Sequence, residues 1–357
     1  MKRKLLFVNE RQFGYHTTYF NYCKYLKDDF DITYFCCDYG YNKITEENIE
    51  IIYISYLGNI IKRKLQFIKA VLKLTKSQQY HCIFIKYFRG CSVIPFIYRR
   101  NHRIHLNIIT GSISSKSINR NLSNLLLRCE SYIFKNVSII SPGLQKLLKV
   151  SRKAYILPLG ANPMIVNRQT DHKISLLYIG TLQNRCIDDT VVGLGLFISE
   201  HPDADVHYTI IGDDCCGEIE QILDKIKKYD LYKHVELTGY IPYKNLKQYF
   251  EKANVGISYI PVTPWFEYQP PTKTFEYLMA GMPVIATGTY ENKKIINDQN
   301  GLIIADNPAS FANCIELLYD RIDDFSDSII RESVVEYKWE TIISKLKEFI
   351  CDQTLRS

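Results

Sequence analysis

Gln269-Pro-Pro271-Thr272-Lys273-Thr-Phe275-Glu276-Tyr-Leu278-Met279-Ala-Gly281-Met-Pro283-Val-Ile-Ala286 reads as a capped helix running straight into a buried strand. Thr272 is expected as the N-cap and Gly281 as the C-terminal stop. Phe275, Leu278 and Met279 recur at helical spacing and are expected to face a core, while Lys273 and Glu276, three residues apart, share another flank. Pro283-Val-Ile-Ala then fits a strand. A helix N-terminus carries unpaired N–H groups and a partial positive charge, so Thr272, Lys273 and Thr274 offer a site for a phosphate. Glu276, one turn in, is placed to accept hydrogen bonds from sugar hydroxyls.

The same strand and helix alternation continues in both directions. Upstream in the second half, short apolar runs at Leu176–Gly180, Tyr208–Gly212, Val235–Gly239 and Val255–Tyr259 each end in a polar loop, and Gly301–Ile304 follows downstream. The first half repeats the arrangement at Lys4–Asn9, Ile32–Phe35, Ile49–Ile54, Cys82–Ile85, Arg103–Ile109 and Val137–Ile140. Strands separated by helical patterns imply βαβ units and parallel sheets, and the 357 residues suffice for two domains with their own cores. No Gly-x-Gly-x-x-Gly fingerprint is present, which disfavours a dinucleotide enzyme; ligands are expected at the carboxyl ends of the strands.

Composition narrows the class further. With 46% hydrophobic and 23% charged residues the chain is globular. No apolar run approaches the roughly 18 to 20 residues that span a bilayer, and Asn9 and Glu10 interrupt the signal-like opening, so a cytosolic protein is expected. The 11 cysteines lack metal-site spacing and read as reduced thiols, with no metal expected. The net charge of +7 is unevenly spread: the first half is strongly basic, and Ile51 to Cys129 holds 14 Lys or Arg and no acid. Such a segment attracts polyanions, either an anionic membrane leaflet or nucleic acid. Within it, Ile60–Ser77 fits a helix with Ile61, Leu65, Ile68, Leu72 and Thr75 on one face and lysines on the others. A helix lying on anionic lipid and an ordinary packed helix with a solvated face both satisfy that pattern.

Lys273 to Ala286 resembles the nucleotide-binding signature of glycosyltransferase family 4. Glu130–Asn162, with Ile139-Ile-Ser-Pro-Gly-Leu and Tyr155-Ile-Leu-Pro-Leu-Gly, resembles that family's last N-terminal strand, following helix and interdomain exit. Trp339 resembles the tryptophan opening its final helix. The resemblance implies a GT-B fold: two Rossmann-like α/β lobes facing across a cleft, with a C-terminal helix returning to the first. The expected division is a basic acceptor-binding lobe over residues 1–166, a nucleotide-sugar-binding lobe over 167–335 and the returning helix over 336–357.

The resemblance also implies a retaining transfer of a sugar from a UDP- or GDP-sugar, with no cofactor. The expected acceptor is a glycan or lipid-linked saccharide, in bacterial surface polysaccharide synthesis at the inner face of the plasma membrane. Stabilising the departing diphosphate needs cations or N–H dipoles. Arg185, in the loop Gly180–Asp188, occupies the place where the family commonly has an arginine; the lysine that follows it in the family has no counterpart here. Lys273 supplies the second charge, and the two cations make a metal unnecessary. Gly14 lets the first loop's backbone approach the donor phosphates, and His16 either meets substrate or serves as a cap or packing group. Glu276 is expected to hold the ribose. The family's second glutamate falls at Tyr268, with Glu267 one residue earlier, so either of these is expected to meet sugar hydroxyls. Two alternatives remain open at this point: a sugar-nucleotide epimerase of the same fold, and a nucleic-acid-binding protein using the basic half.

Overall fold

A computed structural model describes residues 2–352 apart from 56–57, 99–102, 152 and 215. The chain divides into two compact units, Met1–Gly160 with Trp339–Ser357, and Ala161–Lys338. Each is an α/β unit built on a wholly parallel sheet.

The first unit runs β1 (Arg3–Val8), α1 (Thr17–Leu26), β2 (Phe30–Asp38), β3 (Ile49–Ser55), α2 (Ile60–Ser77), β4 (Cys82–Lys86), α3 (Val93–Ile97), β5 (Ile104–Ile108), α4 (Ser117–Ser131), β6 (Asn136–Ile139), α5 (Pro142–Leu148) and β7 (Tyr155–Ile156). Its strands lie in the order β3-β2-β1-β4-β5-β6-β7. Leu5 to Val8 and Cys82 to Ile85 are buried on both faces, as a covered parallel sheet requires. The two-residue β7, not expected from the sequence, extends the edge by pairing Tyr155 with Ser138.

α2 has the bounds its periodicity predicts, but the packing of its apolar stripe differs. Phe67, Ile68, Val71 and Thr75 are buried, whereas Ile61 and Leu65 are exposed. The buried face is centred on Phe67, Val71 and Thr75 rather than on the row Ile61, Leu65 and Leu72; at about 100° per residue that row lies on its flank, so Ile61 and Leu65 turn to solvent.

The second unit runs β8 (Ile174–Ile179), α6 (Ile187–Glu200), β9 (Val206–Ile211), α7 (Glu218–Lys228), β10 (Val235–Gly239), α8 (Lys247–Lys252), β11 (Val255–Ser258), α9 (Thr272–Met279), β12 (Val284–Thr287), α10 (Asn292–Ile295), β13 (Gly301–Ile304), α11 (Pro308–Arg321) and α12 (Asp327–Glu332). Its strand order is β10-β9-β8-β11-β12-β13. The last helix, α13 (Trp339–Asp352), belongs to the first unit, where Trp339, Ile342 and Leu346 pack with α1 residues and Trp339 meets Tyr22 edge-on at 5.7 Å between ring centres. Cys23, Cys36, Cys37, Cys82, Cys91 and Cys314 are buried free thiols.

Each sheet has one place where the strand order reverses, between β1 and β4 in the first and between β8 and β11 in the second. Loops leaving neighbouring strands there diverge to opposite faces, which opens a crevice at the carboxyl ends. These two points position the residues of interest.

Candidate functional site

In the second unit the crevice is formed by the loop after β8, which carries Arg185, and by the connection from β11 into α9, which carries Lys273 and Glu276. Strand neighbours bring together residues almost ninety positions apart in sequence. The helix start differs from the expectation in one respect: Pro271 is the N-cap, extended at φ −79° and ψ 125°, and Thr272 is the first helical residue. Proline has no N–H to leave unpaired at that position, so no side-chain cap is needed for it. The helix ends as expected. Gly281 takes φ +80°, its N–H reaches Leu278 O at 2.9 Å and Met282 N–H reaches Tyr277 O at 3.0 Å, a paired closure that needs the left-handed residue.

Phe275, Leu278 and Met279 are buried, and the opposite flank presents the charged pair. Tyr277 fixes the helix against β8 by accepting a hydrogen bond from Ile179 N–H at 2.8 Å. Its ring fits over β11 because residue 256 is glycine, where a Cβ would run into it. Thr274 is consumed structurally. Its hydroxyl pairs with Ser258 Oγ at 2.7 Å and meets Asn292 Oδ1 at 3.3 Å, tying α9 to β11 and α10.

Lys273 Nζ stands 3.6 Å from the centre of the Tyr178 ring, and the Arg185 guanidinium lies 4.1 Å from the centre of the Phe266 ring. Both cations thus rest on aromatic faces. Neither Lys273 Nζ nor Arg185 Nη1 has a hydrogen-bond partner among the described residues, although both atoms are buried. Burial, followed by repulsion from Arg185, holds the Lys273 ammonium well below its usual pKa, with Glu276 opposing the shift. Burial also lowers the Arg185 guanidinium and raises the Glu276 carboxyl, the latter against the pull of Lys273. Lys273 and Glu276 lie deep in the protein mass yet retain some solvent-accessible surface. Two unpartnered cations and a carboxylate therefore surround a helix N-terminus, where an anionic group would relieve the repulsion and satisfy the orphaned donors.

Glu267 and Tyr268 occupy the preceding loop and turn toward Tyr290. Glu267 Oε1 accepts from Tyr290 N–H at 3.1 Å, and the Tyr268 and Tyr290 rings are 5.0 Å apart. Sequence reasoning missed Tyr178 and Phe266, the platforms under the cations. A tyrosine within an apolar strand and a phenylalanine within an aromatic loop carry no signal that separates them from core residues.

Gly14 and His16 lie in the first unit, in the loop from β1 into α1 at that sheet's own reversal point. Gly14 adopts φ +86°, and a Cβ there would collide with Ile44. His16 is the N-cap residue of α1 but makes no side-chain cap bond; its Nδ1 is buried without a partner, and its ring meets Tyr19 edge-on at 5.4 Å. Burial, then Lys86 and Arg11, brings its pKa down to about 3, so the imidazole is neutral and a weak base. Lys86, at the end of β4, is itself pushed down to about 8 by burial and Arg11. Sequence reasoning missed Lys86; its signal was a lysine closing a buried strand beside the reversal point.

Residues 173–321 match the model of the family Glycosyl transferases group 1. The matched stretch lies inside the second unit and contains Arg185, Lys273 and Glu276. No curated protein matches the chain. Solved structures resemble it over their full length: sucrose-phosphate synthase from Thermosynechococcus elongatus has a TM-score of 0.80 at 16% identity, covering 100% of both chains. A glycosyltransferase from Rickettsia africae has a TM-score of 0.77 at 14% identity, also covering 100% of both. HepE of Anabaena, solved in complex with UDP, has a TM-score of 0.75 at 13% identity, covering 99% of this chain and 100% of its own. The fold is GT-B, with two Rossmann-like parallel-sheet domains. With the group 1 domain in its second unit, the chain is a glycosyltransferase.

Proposed function

We propose that this enzyme transfers a sugar, with retention of anomeric configuration, from a nucleoside diphosphate sugar to a glycan or lipid-linked saccharide in bacterial surface polysaccharide synthesis. One observation carries the donor assignment: Lys273 Nζ at the start of α9 and Arg185 Nη1 in the loop after β8 are buried and unpartnered, which suits the paired negative charges of a diphosphate. UDP is favoured over GDP because the similar HepE was solved with UDP and with UDP-glucose.

Arg185 and Lys273 neutralise the diphosphate as the bond from the anomeric carbon to the phosphate oxygen breaks. The acceptor hydroxyl attacks the same face of the sugar, and its proton passes to the departing phosphate, so no protein base is required. Glu276 accepts hydrogen bonds from the ribose hydroxyls, and Glu267 or Tyr268 meets the sugar. Within the first unit, Gly14 lets the loop after β1 turn closely and neutral His16 is a hydrogen-bonding group for a substrate there. The two cations supply the charge that a divalent metal would otherwise provide. The acid-free segment from Ile51 to Cys129 supports work at the inner face of an anionic plasma membrane.

Incubating the protein with a panel of UDP- and GDP-sugars and saccharide or lipid-linked acceptors, with released nucleotide and product anomer read out, tests this. Nucleotide release dependent on acceptor, without added metal, is the expected result. Turnover of the donor without acceptor would point to an epimerase. Absence of binding and release across the panel would refute the donor assignment.

A further inference from the structure

α2, α3 and α4 form a continuous surface of the first unit. Phe67 of α2 packs at a tilt against Phe35 of β2 and edge-on to Phe88 after β4, at 5.1 and 5.3 Å between ring centres, which seats the helix on one face of the sheet. The segment after β4 then joins the three helices: Lys64 Nζ approaches Arg89 O at 3.5 Å, and Arg89 Nη2 donates to Ser123 Oγ of α4 at 3.1 Å. α3 packs directly on α2.

Each helix turns large apolar side chains outward there. Ile61 is 73% exposed on the first turn of α2, Phe96 83% exposed on α3 and Ile118 80% exposed on α4. In α4 the exposed Ile118, Leu122 and Leu125 follow helical spacing opposite the buried Leu127 and Ser131. Scattered single exposures need no explanation, but three neighbouring helices with apolar outer faces mark a contact surface. Its fringe is cationic, with Lys62, Lys69, Arg89 and Lys116 exposed and no acid from Ile51 to Cys129. The next acid, Glu130, is turned inward, accepting from Gly90 N–H at 2.9 Å.

We infer that this face inserts its apolar side chains into the interfacial region of an anionic lipid leaflet, with the surrounding cations on the headgroups. The inference rests on the reading of the enzyme as one that works at a membrane, and gives that reading its surface and depth. Charge selects the occupant. A second copy of the chain would bring an acid-free basic fringe against itself. Nucleic acid would gain little from isoleucine and leucine, which offer no flat face for stacking bases. Lipid satisfies both halves of the surface, apolar side chains in the acyl boundary and cations among the phosphates.

Vesicles of phosphatidylglycerol with phosphatidylcholine are expected to sediment the full-length protein, and vesicles of phosphatidylcholine alone to leave it in solution. A Phe96→Ser, Ile118→Ser protein should bind the anionic vesicles at least about tenfold more weakly, and a Lys62→Glu, Lys69→Glu protein likewise, both with UDP affinity within about twofold of the parent. A Phe96→Trp protein should shift its fluorescence to shorter wavelength when anionic vesicles are added. The inference fails if the parent ignores anionic vesicles, if the serine variant binds them as well as the parent, or if the tryptophan emission does not move. It also fails if the parent is a dimer that Phe96→Ser disperses, or if RNA is bound in preference to vesicles. Vesicle binding by a protein that binds no nucleotide sugar would uphold the surface while refuting the proposed donor.

Discussion

Replacing Lys273 by methionine should move stability and ligand affinity in opposite directions. The ammonium is buried, unpartnered and held well below its normal pKa. A buried polar group without a partner costs roughly 1–3 kcal/mol, and methionine of similar length removes that cost. What is lost is the contact with Tyr178, 3.6 Å away, worth about 0.5–2 kcal/mol as a cation–π pair, while the methionine sulfur recovers about 0.3–1.5 kcal/mol against the same ring. The balance is a gain of about 1 kcal/mol, which in a protein of this size raises Tm by roughly 2–4 °C. Binding changes the other way. A hydrogen bond to a charged group contributes about 1.5–3 kcal/mol, so the Kd for UDP should rise by roughly 10- to 150-fold. Thermal melts with and without UDP, with titration calorimetry, read both quantities. Because the diphosphate raises the lysine's depressed pKa, affinity should fall as pH rises above the free enzyme's value, and the methionine variant should lack that dependence. A variant that melts lower than the parent and binds UDP within about twofold would show that Lys273 is a packing residue, and would refute the argument.

Arg185→Ala should weaken UDP binding less than Lys273→Met does and slow turnover by on the order of a hundredfold, because its charge is needed most as the diphosphate departs; normal turnover would remove it from the site. Tyr277→Phe deprives Ile179 N–H of its acceptor, at roughly 1–3 kcal/mol, and should lower Tm by roughly 2–10 °C; an unchanged melting curve would show that this bond does not hold α9 in place. His105 is fully buried, bonded to Ser138 Oγ at 2.7 Å, and burial brings its pKa down to about 3. Its unfolded form takes a proton near pH 6.5, so its contribution to stability is complete above that pH and is lost as pH falls toward 3, at up to about 1.4 kcal/mol per pH unit. Denaturant titrations of the parent and of His105→Gln should therefore diverge with falling pH across that window; parallel curves would contradict the assignment.

The sheets were legible because parallel strands buried on both faces are written as short, nearly continuous apolar runs. Val235–Gly239 and Gly301–Ile304 have the bounds their composition predicts, and α2 likewise, its periodicity being long enough to set both ends. Edges were harder: β7 is two residues long and has no pattern of its own, existing only because Ser138 and Ile139 offer it a neighbour. The outward turn of Ile61 and Leu65 was illegible because two overlapping rows of apolar residues, one through Leu65 and Leu72 and one through Phe67 and Val71, satisfy the same period, and only the packing on Phe35 and Phe88 selects the second.

The site shows the same division between local and tertiary information. Lys273 and Glu276 were legible because helix geometry alone puts them on one flank. Arg185 could be named from its loop, but its meaning depends on β8 and β11 being neighbours, a fact of strand order rather than of composition. The aromatic platforms were not legible at all. Tyr178 alternates correctly within its strand and would serve equally well as core, and it is the arrival of Lys273 over its ring, with Gly180 leaving only 3.0 Å between a Cβ position and Nζ, that makes it part of a cation site. A tyrosine face can hold an ammonium that has lost its water without neutralising it, as a carboxylate would. The charge is therefore kept available for a ligand, and the cost of burying it is recovered when an anion binds.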